Sequence, residues 1–369
     1  MLYKLGQLVK YSSNKINTNN LNPSTYISTE NMLPNIQGIV KSSNVPENIN
    51  VCKFENSNIL LSNIRPYFHK LYFPTFTGGC SNDVLCFNVI DSQLTLPKYL
   101  YYMMSTTSFI DYVVSTSKGT KMPRGDKNAI LDYTFNVVPF DQQLLIVDII
   151  GSIDDKIENN NKIIEKSYEL LDLRMKKLMI GKSKKIISDF KEIEIIGSGI
   201  NKFDREKIYL DTSCVAGNSI IDTSYNVSYN ERPSRANMQP IINSVWFAKL
   251  KNSPKHIIVK DYSNEILNNY VFSTGFMGIK MPEEKFDLLA IYFISDIFDK
   301  EKDSLSIGAT MQSINNNTFK NMYIPKFIEN DYKEFNDISN DILKAIYSME
   351  LENYKLNKLK QLYLKKFFG

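Results

Sequence analysis

Two stretches of the chain carry apolar residues at alternating spacings of four and three. The first runs through Ile146, Ile150, Ile153, Ile157, Asn160, Ile164, Ser167, Leu171, Arg174 and Leu178. The second runs through Phe335, Ile338, Ile342, Ala345, Met349, Glu352, Leu356, Leu359, Tyr363 and Lys366. Most of these positions are apolar, which is the stripe of an amphipathic or coiled-coil helix. Asp141, behind Pro139, suits an N-cap, and Asp331 with Glu334 has capping-box spacing. Lys176, Lys177 and Gly181 close the first stretch; Lys365, Lys366 and Gly369 close the second. A helix from about 142 to 180 would be roughly 58 Å long at ~1.5 Å per residue, longer than a small domain is wide. A single apolar stripe of that length needs a partner, and the other helix is the obvious one. Antiparallel pairing would place two globular domains at opposite ends of the pair.

Before each helix lies a region of short strand-like runs broken by turn residues, such as NILLSNIRPYF and SNDVLCFNVI. A helical segment follows each region, PKYLYYMM in the first and FDLLAIYFISDIF in the second. The expected fold class is therefore α/β (α+β): globular domains over 1–140 and 182–326, and long helices over 141–181 and 327–369.

The two halves also match in sequence. SKGTKMPRGDKNAI followed by FNVVP answers SIGATMQSINNNTF followed by MYIP, pairing Gly119 with Gly308 and Met122 with Met311. Asn128 pairs with Asn317 and Ile130 with Phe319 at the same offset. Tyr102 pairs with Tyr292, Ser105 with Ser295, Pro139 with Pro325, Ile153 with Ile338 and Leu171 with Leu356, with an offset that drifts slowly. A pseudo-two-fold internal repeat follows. The domain interiors differ far more than their C-terminal parts, as suits two surfaces that read different targets.

Composition narrows the picture by exclusion. At 369 residues, with 43% hydrophobic and 23% charged residues, each half can bury a core. A net charge of +4 is compatible with a polyanionic partner. Cys52, Cys80, Cys86 and Cys214 form no CxxC pair or short Cys/His cluster, so no zinc site is expected, and buried free thiols in a reducing compartment are. His69 and His256 lie far apart and suggest no catalytic centre. MLYKLGQLVKY has no apolar signal region, and LLAIYFI at 288–294 is too short to span a bilayer. The expected location is the cytoplasm, with no membrane partner.

With this pattern complete, the chain resembles the specificity (S) subunits of type I restriction-modification enzymes over essentially its full length. The resemblance is carried by NILLSNIRPYFHKLYFP at 58–74, GGCSNDVLCF at 78–87, GTKMPRGDKNAI at 119–130 and VVPFDQQLLIVDIIGSIDDKIENNNKIIEKSYELL at 137–171. In the second half it is carried by STGFMGIKMP at 273–282 and IGATMQSINNNTFKNMYIPK at 307–326. The second copy departs from the pattern at Ala309 and at Lys326-Phe327, where the family usually continues with Pro and Gln. The resemblance implies two target-recognition domains, each reading half of a split double-stranded DNA sequence, separated by two long antiparallel coiled-coil helices. Those helices would dock two methyltransferase (M) subunits, and restriction (R) subunits would complete the cleaving complex. The chain itself would be non-catalytic and hold no cofactor or metal, with S-adenosylmethionine in the M subunit.

Duplex binding needs cations for phosphates and polar side chains for base edges. Arg65 lies in an aromatic turn, and Lys118, Thr120, Lys121 and Arg124 crowd one glycine loop. Arg232 and Arg235 fall in ERPSRANMQ, while Thr310, Gln312 and Ser313 occupy the second loop. Ile146, Ile150, Ile153, Ile157, Ile164, Leu171, Leu178, Ile338, Ile342, Met349, Leu356, Leu359 and Tyr363 are the expected spacer and partner positions. A methyltransferase acting alone is disfavoured by the lack of an NPPY- or DPPY-type motif, with only GSG at 197–199 as a glycine candidate. A nuclease would rest on Asp261 with Glu283 and Lys285, a loose metal-site match. A coiled-coil adaptor that binds no DNA is the alternative the helices alone would allow.

Overall fold

The computed structural model describes residues 1–221, 225–308 and 311–369. The chain divides into two compact units, Met1–Glu158 with Tyr354–Gly369, and Asn159–Asn353.

In the first unit the strands are β1 (Leu2–Lys4), β2 (Val9–Tyr11), β3 (Lys15–Asn17), β4 (Tyr26–Ile27), β5 (Asn50–Phe54), β6 (Ile59–Ser62), β7 (Leu71–Tyr72), β8 (Gly78–Cys80), β9 (Val84–Val89) and β10 (Thr134–Asn136). The helices are α1 (Leu5–Leu8), α2 (Pro97–Met104), α3 (Thr107–Ser115), α4 (Lys127–Asp132) and the start of α5 (Phe140–Met179). One sheet has the order β2-β9-β6-β7, all antiparallel; the other has the order β3-β5-β8-β4, with β4 and β8 parallel. The run ILLS explains how the layers meet. In a strand, alternate residues point to opposite faces. Ile59 and Leu61 enter a core with α2, α3 and Ile150 of α5, whereas Leu60 enters a second core with Ile27, Phe54 and Cys86. The first sheet is thus buried on both sides, between helices and the second sheet. All four cysteines of the chain are buried and reduced.

The second unit repeats the plan. Its strands are β11 (Lys184–Ile186), β12 (Glu194–Ile195), β13 (Lys207–Leu210), β14 (Val215–Ala216), β15 (Ser219–Ile220), β16 (Asn226–Val227), β17 (Ala236–Met238), β18 (Ser244–Ala248), β19 (His256–Val259), β20 (Tyr270–Ser273), β21 (Phe276–Lys280) and β22 (Tyr323–Pro325). Its helices are α6 (Asn264–Asn269), α7 (Glu283–Phe293), α8 (Asp296–Ser304), α9 (Asn316–Lys320) and most of α10 (Glu329–Phe368). The sheet β12-β21-β18-β19 has the order of β2-β9-β6-β7 in the first unit. Val245 and Phe247 face the helical core while Trp246 and Ala248 face the second sheet. Trp246 pairs with Gly278 across the strands, and a Cβ on Gly278 would lie 2.5 Å from the indole. The second sheet, β16-β13-β20-β17, keeps the parallel pair and the strand beyond it but gains its fourth strand on the opposite edge. This edge is the main topological difference between the repeats.

Each long helix has 40 residues. In the second unit they run antiparallel: Asn160 Nδ2 donates to Glu352 Oε2 at 2.8 Å and Asn353 Oδ1 at 2.9 Å, while Arg174 Nη2 donates to the Glu334 carbonyl at 2.9 Å. In the first unit Lys360 pairs with Asp154 at 2.6 Å, and Asp154 also accepts from the Tyr102 hydroxyl at 2.9 Å. Gln143, fully buried, accepts from Leu96 N and donates to the Leu94 and Val138 carbonyls, which pins the loop before α2. Among the described residues no helix is long and apolar enough to cross a membrane.

Four sequence expectations are corrected. Asp141 sits inside the first turn of α5 and does not cap it. Asp331 accepts from Ile328 N at 2.8 Å, so it is the residue that reaches back in the first turn of α10, not the cap preceding Glu334. The stripe on α10 is partly out of phase: Phe335 is buried as expected, but Ile338 and Leu359 are 42% and 40% exposed, whereas Ser339, Leu343 and Ile346, off the stripe, are buried. A hydrophobic pattern misses Ser339 because its hydroxyl is satisfied by Asp287 Oδ2 at 2.7 Å. The repeat alignment also shifts by one at Ser105. Ser295 caps α8 through Phe298 N, and its counterpart is Thr106, which caps α3 through Phe109 N.

Candidate functional site

The two glycine loops are held by the same main-chain bonds. In the first unit Lys118 and Arg124 exchange N–H···O bonds at 2.8 Å, Arg65 N donates to Pro123 O at 2.8 Å, and Gly125 N donates to Asn63 O at 3.1 Å. In the second unit Ile307 and Ser313 exchange bonds at 3.1 Å, Lys251 N donates to Gln312 O at 2.9 Å, and Ile314 N donates to Lys249 O at 3.0 Å. Asp126 and Asn315 then cap the short helices that follow. Gly119 and Gly308 take positive φ, +97° and +139°, which a side chain would disfavour. The frame is duplicated bond for bond, while the side chains on it differ: Lys118 answers to Ile307, Arg124 to Ser313, Arg65 to Lys251.

Within the first frame, Arg65, Lys118 and Arg124 come together. Arg65 adopts the left-handed conformation, φ +50°, and its Nε is buried without a partner. Lys118 pairs with Asp126, and that ammonium, with the N–H groups of Ala129 and Asn128, holds the Asp126 carboxyl below its ordinary value. Arg124 pairs with Asp83 at 3.0 Å. Thr120 and Lys121 are exposed at the tip. The Tyr67 and Phe68 rings, 4.8 Å apart and exposed, flank this basic patch.

In the second unit Arg235, Gln312 and Ser313 gather around two lysines. Lys251 Nζ donates to Gln312 Oε1 at 2.7 Å, and Lys249 lines a cavity of about 450 Å³ with Ser313 and Asn315. Arg232 is turned inward: it donates to the Ala236 and Tyr229 carbonyls and stacks on the Tyr229 ring at 4.2 Å. Its guanidinium braces a turn. Thr310 lies outside the described residues. Lys249 and Lys251 escape a reading of the sequence by local composition; carrying the repeat offset from Arg65 to Lys251 would have found them.

Of the spacer positions, Ile146, Ile150, Ile153, Ile164 and Leu171 are buried, and Ile157, Leu178, Ile342, Met349, Leu356 and Tyr363 are half-buried. The long helices also expose Leu170, Leu173 and Leu362, the last two at 65%. Among the described residues no group of three His, Cys, Asp or Glu side chains is placed to hold a metal ion. Lys285, one member of the loose nuclease match, is engaged with Glu192 at 2.9 Å.

The family model for the type I restriction modification DNA specificity domain matches residues 1–166. The type I restriction enzyme HindI specificity subunit of Haemophilus influenzae is 27% identical over 170 residues, 44% of this chain and 36% of that protein, so the match spans about a third of the relative's length. The crystal structure of a type I restriction-modification S subunit from M. genitalium superposes with a TM-score of 0.56 at 14% identity, covering 100% of this chain and 96% of that one, and shows the same fold. An HsdS subunit from Thermoanaerobacter tengcongensis aligns with a TM-score of 0.37 at 13% identity over 99% of this chain and 95% of its own. Residues 1–166 thus match a type I restriction modification DNA specificity domain, and the second half is built on the same plan.

Proposed function

We propose that this chain is the DNA-reading subunit of a type I restriction-modification enzyme and recognises a bipartite duplex target. The observation that carries this reading is the duplicated loop frame, which presents unlike side chains in the two halves: one fold, two reading surfaces. Residues 1–140 and 182–326 are the target-recognition domains, and 141–181 with 327–369 are the spacer helices. Arg65, Lys118, Thr120, Lys121 and Arg124 would engage one half-site. Arg235, Thr310, Gln312 and Ser313 would engage the other, with Arg232 bracing the turn beside them.

Two methyltransferase subunits would dock on the helices, whose exposed leucines support an apolar partner face. These subunits would bring S-adenosylmethionine and methylate adenine; restriction subunits would cut. The chain is non-catalytic in this reading and works in the cytoplasm, where the host DNA lies. Mapping methylated adenines in cells with and without the gene tests it: loss of one split motif is expected, and an unchanged methylome would refute it. Gel shifts with the M subunits separate it from an adaptor, which would not confer sequence-specific retention of DNA.

A further inference from the structure

The bonds that close the second loop bring three residues into one line. The pair Lys251 N to Gln312 O and Ile314 N to Lys249 O sets Leu250 directly opposite Ser313, and the exchange between Ile307 and Ser313 sets Ile307 on the other side of the same serine. Residues opposed across an antiparallel bridge send their side chains to the same face. Leu250, Ser313 and Ile307 therefore share a face, on which Leu250 is 47% and Ile307 65% exposed. Met311, two residues along the chain from Ser313, is 79% exposed. In the first unit the same two bridges align Ile64, Arg124 and Lys118, and Arg124 and Lys118 are exposed cations. One frame thus carries a cationic face in the first half and an apolar face in the second.

We infer that the Leu250–Ser313–Ile307 face of the second unit, with Met311 beside it, receives the C5-methyl group of a thymine in the major groove of one half-site. This rests on the DNA-reading role proposed above and names the chemistry that one of its two surfaces reads. An exposed apolar cluster marks a contact surface. Leu250, Ile307 and Met311 offer neither a charge for a phosphate nor a hydrogen bond for the polar edge of a base. The apolar group that a base pair presents in the major groove is the thymine methyl. Ser313, at the centre of the line, keeps a hydroxyl that can bond to the base edge beside that methyl. Lys249 and Lys251 flank Leu250 in the chain, so the apolar face sits among cations, which suits a polyanionic duplex better than an apolar protein.

The test uses the full chain assembled with its methyltransferase subunits and a duplex carrying its methylation motif. Each thymine of the motif, on either strand, is replaced singly by deoxyuridine, which removes the methyl and leaves base pairing intact. One replacement, in one half-site, is expected to weaken binding of the wild type about fourfold, the worth of one buried methyl group. That loss should vanish in a Leu250→Ser/Ile307→Ser double variant and persist in Leu250→Val/Ile307→Val. Both side chains are exposed, so the variants should melt with the wild type. Wild-type binding indifferent to every replacement, with the motif still bound, overturns the thymine contact and leaves the DNA-reading role standing. A replacement that weakens the double serine variant as much as the wild type places the methyl against other residues and overturns it too. A double serine variant that no longer assembles with the methyltransferase subunits assigns the face to a protein partner and overturns the thymine contact. A wild-type complex that binds no duplex overturns both readings.

Discussion

Lys260 donates to Asp287 at 2.7 Å in the second unit, with side chains only 6% and 2% exposed. Asp287 also accepts from Ser339, and Lys260 donates to Asn340, so β19, α7 and α10 meet at one buried ion pair. Removing one partner strands a charge in the interior. Lys260→Met should therefore destabilise the unit by about 3–5 kcal/mol, and a Lys260→Met/Asp287→Leu double variant should recover much of that. Urea unfolding measures both; a single variant no less stable than the double would contradict the account.

Glu350 gives a pH dependence. Burial pushes its carboxyl up from 4.5 to about 7, against the pull of the Ser219 hydroxyl, which donates to it at 2.8 Å. A carboxyl whose folded value exceeds its unfolded value binds more protons when folded. It therefore subtracts stability as pH rises from about 4.5 to about 7, and the loss levels off above. Glu350→Gln should flatten that slope and gain about 1–3 kcal/mol at pH 8. Parallel pH-stability curves for the two proteins would rule this out.

Gly278 has no room for a methyl group beneath Trp246. Gly278→Ala should cost about 1–3 kcal/mol by overpacking, and Trp246→Leu in the same chain should relieve part of it. The first unit pairs Leu60 with Cys86 in the corresponding strands, β6 and β9, so a medium-sized pair fills the space that a large and a small residue fill in the second. If melting temperatures show Gly278→Ala to be neutral, the indole is not the constraint.

Arg124 is exposed, and its guanidinium pairs with Asp83 at the surface. Arg124→Ala should leave the melting temperature nearly unchanged, since exposed pairs contribute about 0–1 kcal/mol. It should lower DNA affinity across sequences and reduce the salt slope by about one. An unaltered slope would take this side chain off the interface.

The long helices were legible because their burial is periodic and apolar over many turns, as Ile146, Ile150 and Ile153 show. The repeat was legible because loop glycines and buried residues such as Ile130 and Phe319 are fixed by backbone geometry and core volume. The phase of α10 was not, because Ser339 and Asp331 are polar residues satisfied inside the fold, and hydropathy cannot see a hydrogen-bond partner distant in sequence. The site was half legible. A cation in a sequence does not reveal whether it faces outward: Arg232 braces its own turn, while Lys249, in an ordinary turn, lines the cavity.

Because main-chain amides and carbonyls close the loop frame in both halves, the side chains at 118, 124, 307 and 313 are not what closes it, even where Lys118 and Arg124 add surface pairs with Asp126 and Asp83. Substitution there can change what the surface prefers without first weakening the scaffold. Such a protein can drift from one preference to another in single steps, each leaving a folded molecule, with the glycines as the part of the loop that heredity has to leave alone.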